Sequence, residues 1–104
     1  MFGRFRTPHR NTRPRGDVLQ RNIWWSMLFA DLMAKNSELR SRIPEGTSIL
    51  LMPAGDAELV RHNHKLLKAQ SGDEPVLVVE IAIRDSTVAV RPPGVDHQLH
   101  YALA

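Results

Sequence analysis

Few residues in this chain have the types and spacing that chemistry requires. Five arginines, Arg4, Arg6, Arg10, Arg13 and Arg15, fall within the first 16 residues, with no acid among them and with Phe2 and Phe5 interleaved. Guanidinium groups mixed with aromatic rings can contact phosphates and stack on bases, so this arm is the candidate polyanion-binding segment. A second candidate is the turn Pro53-Ala54-Gly55-Asp56, which follows an apolar run and precedes a helix start. Open α/β folds place ligands at such turns. Neither glycine pattern of a nucleotide loop is present, and the Asp56 carboxylate occupies the place a phosphate would take. It reads as an ordinary capped turn.

The histidines invite a metal reading and then resist it. His62 and His64 are two apart, and on a helix such residues point about 200° away from each other. His97 and His100 have a ligand-like spacing but lie in a segment flanked by proline and glycine. Solvated histidines are the expectation for both pairs. Asn63, between the first pair, interrupts an apolar helix face. A buried amide must find partners, so Asn63 is expected to fix a loop or the register of its helix, with a ligand contact as the alternative. Glu38, Glu45, Glu58 and Asp56 read as capping and surface charges. No nucleophile is paired with a base, and no cofactor fingerprint occurs, so neither an enzyme nor a cofactor is expected.

The elements that carry these residues follow from periodicity and punctuation. Asp17 is placed to cap a helix over about Val18 to Asn36, directly after Gly16. Leu19, Ile23, Met27, Ala30 and Ala34 form one apolar stripe there, with Trp24, Leu28 and Leu32 beside it. Trp25 and Phe29 carry the apolar surface further round than one buried face needs, so Trp24, Trp25 and Phe29 are the candidate subunit interface. Adjacent helical residues diverge by about 100°, so one of the two tryptophans is expected inside and the other at a helix edge or interface. Ser37 is expected to cap a short turn, Glu38 to Arg42, before Pro44-Glu45-Gly46.

Thr47 to Met52 is bounded as a buried strand, and Asp56 is placed to cap a helix over about Ala57 to Gln70. The inward stripe of that helix reads as Leu59, Val60, Asn63, Leu66 and Leu67. Val76 to Ile83 is the strongest strand, and Asp85-Ser86 turns it into a shorter one, Thr87 to Arg91, stopped by Pro92-Pro93-Gly94. Val95 to Ala104 is expected to be a loosely held tail, in which Leu99, Tyr101 and Leu103 could add an edge strand. The predicted fold is α/β (α+β) in the order α-β-α-β-β. It has a small mixed sheet, a right-handed β-α-β crossover and a packed N-terminal helix. The expected domain covers residues 17–94, between the arm (1–16) and the tail (95–104).

Composition bounds the rest. With 104 residues, 42% of them hydrophobic and 24% charged, the chain suits one globular domain. It has no cysteine, which excludes disulfides and thiolate chemistry. No apolar run reaches the roughly 18 residues of a membrane helix, residues 7–17 lack the apolar stretch of a signal peptide, and Pro8, Pro14 and Gly16 oppose a transit-peptide helix. A cytoplasmic protein without a membrane partner or an evident small-molecule substrate is expected. The net charge of +3 comes from the arm: the other 88 residues hold nine basic groups against all eleven acids.

Ile43-Pro44-Glu45-Gly46, the apolar strand after it, Asp56 to Asn63 and Pro75-Val76-Leu77-Val78-Val79 resemble a small prokaryotic family of uncharacterised α/β proteins, over about residues 25–83. The resemblance implies the order helix, turn, strand, helix, strand and implies no activity. The arm lies outside it. The residues leave two functional readings: a non-catalytic interaction or regulatory module acting as a homodimer, or a nucleic-acid-associated protein binding phosphates through its arm. The alternatives for the arm are a solvated tail and a start codon placed too early.

The arm generates a direct test. Full-length protein should bind short RNA or DNA in fluorescence anisotropy with an affinity that falls steeply with salt, and deletion of residues 1–16 should abolish binding. Equal binding by both forms would move the phosphate contacts to the folded domain.

Overall fold

Asp17 starts the first helix with a reciprocal pair of bonds. Its carboxylate accepts from the Gln20 backbone N–H at 2.9 Å, while the Gln20 side chain accepts from the Asp17 N–H at 2.9 Å. This capping box satisfies backbone donors that a helix start otherwise leaves open. Gly16 is required beside it: its φ is +99°, and a side chain there would collide with the Gln20 amide. A computed structural model of the chain describes residues 14–70, 72 and 75–102. Arg4, Arg6, Arg10 and Arg13 lie outside the described residues, as does Leu103.

The elements are α1 (Val18–Lys35), α2 (Ser37–Ser41), β1 (Ser48–Pro53), α3 (Ala57–Ala69), β2 (Val76–Arg84), β3 (Thr87–Arg91) and β4 (Leu99–Ala102). Asn36 separates the first two helices. Its backbone N–H and its side-chain Nδ2 both donate to the Leu32 carbonyl, which ends α1 where the sequence suggested Ser37 would begin a new turn. The four strands form one mixed sheet in the order β1-β2-β3-β4. β1 and β2 are parallel, joined through α3, while β2, β3 and β4 are antiparallel neighbours. The β2–β3 reversal takes two residues, and Asp85 adopts φ +52°, a conformation aspartate tolerates better than most side chains.

Strand pleating sorts the side chains onto two faces. Leu51, Val79, Ile81, Val88 and Val90 join Trp25, Leu28, Phe29, Leu32, Leu39 and Leu59 in a single buried core. The paired registers Leu51↔Val79, Ile81↔Val90 and Ile83↔Val88 put these strand residues on the helix side. The other face carries Leu50, Met52, Val78 and the paired alanines Ala82 and Ala89, with a Glu80–Arg91 ion pair across β2 and β3.

The C-terminal segment differs from the expected loose tail. Pro92-Pro93-Gly94 stops β3, and the chain returns as β4, pairing Val90↔Leu99 and Val88↔Tyr101. The pairing brings Tyr101 against the core that Val88 already occupies, which gives four residues enough apolar contact to order a strand. Strand structure therefore continues through Ala102, and the sheet has four strands among the described residues.

Tyr101 also has a pH consequence. Its hydroxyl is buried and finds no hydrogen-bond partner among the described residues. Burial pushes the phenol pKa up, Glu38 adds to the rise, and Arg42 opposes it. A folded-state pKa above the unfolded value means that the contribution is intact below about pH 10 and is lost as pH rises through the folded pKa. Tyr101→Phe should leave the neutral-pH thermal midpoint unchanged or higher and make the alkaline loss of stability shallower. Thermal melts between neutral and alkaline pH would read both effects.

Candidate interaction surface

Because successive residues of α1 rotate by about 100°, its 18 residues can be placed on a circle. Trp25, Leu28, Phe29 and Leu32 occupy one side and are buried. Leu19, Ile23, Met27, Ala30 and Ala34 fall within an arc of roughly 80° on the opposite side. None of these five is buried: Leu19 is 66% exposed, Ile23 54% and Met27 38%. The helix is apolar on two opposed faces and uses only one for the core. The expected inward stripe is therefore the outward one. Bulk is one reason for the choice, since two aromatic rings and two leucines fill the space above the sheet better than a stripe that tapers into alanines.

The candidate interface residues are redistributed accordingly. Trp25 and Phe29 belong to the core, so they are not a free surface, and this corrects the expectation drawn from the sequence. Trp24 is half-buried at the helix edge, with its ring set edge-on to that of Trp25 at 5.1 Å between centroids. On α1 the exposed large apolar residues are Leu19, Ile23 and Met27. On α3, Leu66 is 49% exposed, although periodicity placed it in the inward stripe. Only Leu59 and Asn63 of that stripe are buried, with Val60 and Leu67 half-buried, because α3 packs chiefly against β1 at the margin of the sheet.

A polar seam fixes which face of α1 looks inward. Asn63 is fully buried, and it exchanges two hydrogen bonds with Asn22: Asn22 Nδ2 donates to Asn63 Oδ1 at 2.8 Å, and Asn63 Nδ2 donates to Asn22 Oδ1 at 3.0 Å. Asn63 Nδ2 donates also to the Leu51 carbonyl at 2.8 Å. One side chain thus ties α1, α3 and β1 together. Asp56 accepts from the Leu59 N–H at 3.1 Å as the cap of α3, and its carboxylate pairs with Arg21 at 2.9 Å. Arg21 also reaches Glu58 at 2.6 Å and the Gly16 carbonyl at 2.8 Å. Glu58 first and Asp56 second raise the Arg21 pKa still further, so the guanidinium stays charged. Asn63 and Asp56 are the structural polar residues that the sequence suggested. Arg21 and Asn22, their partners, carry no local signal.

The turn after β1 opens onto a shallow groove lined by Met52, Pro53, Val60, His64, Val78 and Glu80, among others. Its wall is largely apolar, and its acids have partners: Asp56 is held by Arg21 and the α3 N-terminus, and Glu80 by Arg91. His64 is exposed and His62 half-buried. His97 lies beside Asp96 and holds that carboxyl below its usual range. Among the described residues, no three His, Asp or Glu side chains are grouped so that they could hold a metal ion. No described helix is long and apolar enough to cross a membrane. Arg15, the one arm arginine that is described, is exposed.

No family model, curated protein or solved structure matches the chain.

The amide pair makes a quantitative prediction. Asn63→Ala should cost about 2–3 kcal/mol, since it leaves a buried carbonyl and the Asn22 amide without partners. Asn22→Ala should cost about 1 kcal/mol, and the double variant should fall short of the sum by about 1 kcal/mol. Urea unfolding of the four proteins checks the cycle, and strict additivity would mean that the two amides do not interact.

Proposed function

We propose that this protein is a small non-catalytic interaction module that works as a homodimer through the outer face of α1. The observation that supports this reading is the coincidence of Leu19, Ile23 and Met27 on one exposed helix face. Singly exposed apolar residues are ordinary, whereas a continuous stripe on a helix already anchored by its other face has the character of a docking surface. The two carboxylates lining the groove are engaged in capping and ion pairs, which favours a binding role over acid–base catalysis.

The second reading is association with nucleic acid. It is favoured by the five arginines without a counter-charge in residues 1–16. The two readings are compatible, because a dimer would present two arms and gain affinity for a polyanion from their linkage.

Sedimentation velocity over a concentration series tests the homodimer. Wild-type protein should approach twice the chain mass as concentration rises, and Ile23→Lys should remain monomeric. The circular dichroism of the variant should be unchanged, because Ile23 is half exposed and contributes little to the core. A wild type that stays monomeric to concentrations on the order of 100 µM removes the homodimer.

A further inference from the structure

The outer stripe of α1 is graded in size along the helix. Leu19 and Ile23 lie in its N-terminal half, Met27 stands beside the midpoint, and Ala30 and Ala34 lie in its C-terminal half. The gradation is symmetric in position. Leu19 and Ala34 are equally far from the point midway between Ser26 and Met27, about 11 Å to either side along the axis. Ile23 and Ala30 are equally far from the same point, about 5 Å to either side. A two-fold axis through that point, perpendicular to the helix, therefore sets Leu19 and Ile23 each against an alanine of a second copy and brings the two Met27 side chains together beside the axis.

We infer that two copies of this chain pair antiparallel through α1, about a two-fold axis passing between Ser26 and Met27. This deepens the homodimer reading and rests on it. Leu19 of one copy lies over Ala34 of the other, and Ile23 over Ala30, so the helices approach evenly on either side of the central Met27 pair. A parallel pair would oppose Leu19 to Leu19 and Ala34 to Ala34, forcing the helices apart at one end and leaving a void at the other. Spacings of four, three and four residues over Ile23, Met27, Ala30 and Ala34 suit a shallow crossing of about 20°, which keeps the ends in contact. Antiparallel helix dipoles add a small favourable term. An 18-residue helix is about 27 Å long, so its face alone is smaller than the roughly 800 Å² per partner of a standard interface. A reversible, micromolar dimer is the expectation.

The absence of native cysteine makes disulfide cross-linking of the full chain a clean test. Under mild oxidation Ser26→Cys should cross-link to itself, because position 26 lies next to the axis. Leu19→Cys and Ala34→Cys should cross-link only when mixed, since two copies of either position stand about 22 Å apart along the axis. Self-linking of Leu19→Cys would overturn the antiparallel arrangement in favour of a parallel one. A dimer by sedimentation with no cross-link at 19, 26 or 34 would overturn the α1 pairing and leave the homodimer standing. A monomer by sedimentation with no cross-link would remove both. A size swap gives a second, independent readout. Ala30→Ile should weaken the dimer about tenfold or more by overpacking, and Ile23→Ala with Ala30→Ile should restore it. Failure of the swap to restore association would also overturn the register.

Discussion

The buried amide of Asn63 is the contact on which the arrangement of this small domain depends. It is fully enclosed, and it bonds at once to the side chain of Asn22 on α1 and to the Leu51 carbonyl on β1. A buried amide left unpaired costs far more than a paired one contributes, so the three elements have one relative placement that satisfies it. Among the described residues β1 has a strand neighbour on one side only, and on the other its Leu51 carbonyl accepts this bond from α3. The same contact fixes the rotation of α1 about its own axis. Apolar packing alone would do so poorly, because the helix is apolar on two opposed faces.

That ambiguity connects fold to function here. Rotated by half a turn, α1 would offer Leu19, Ile23 and Met27 to the core and expose Trp25, Leu28, Phe29 and Leu32. Two effects select the observed rotation. The inner residues are bulkier and fill the layer above Val79, Ile81, Val88 and Val90. Asn22 and Arg21 meet Asn63 and Asp56 only in this rotation. The stripe left outside becomes the surface through which the proposed homodimer forms.

The turn after β1 shows a related division of labour. Asp56 stands where an α/β fold offers a helix N-terminus to an anion, but its own carboxylate fills that place and then recruits Arg21. A position that serves catalysis or phosphate binding in other α/β proteins is used here to tie two helix starts together. The electrostatic contribution of such a part-exposed pair is modest, and its geometric role is the larger one. The arm is consistent with the same economy: whatever its arginines bind, the cationic charge is concentrated outside a domain that is itself slightly acidic.

Local rules determined much of this structure. The helix caps at Asp17 and Asp56, the stops at Gly46 and Pro92, the two-residue turn at Asp85 and the strand character of Val76 to Ile83 are decided within a few residues of chain. The fold class, the parallel β1–β2 pair and the structural role of Asn63 were legible for that reason. The inward face of α1 was not, because periodicity reports that two stripes exist and carries no information about which one meets the sheet. The strand β4 was not firm either, since four residues order only against the preformed edge of β3. Arg21 and Asn22 have partners 35 and 41 residues away, and no pattern near them marks the pairing. The sequence by itself determined which segments are helix, strand and turn, because those are settled by neighbours in the chain. Only the tertiary structure decided which apolar surface is left exposed, because that depends on how bulk and buried polar groups from distant segments are satisfied together.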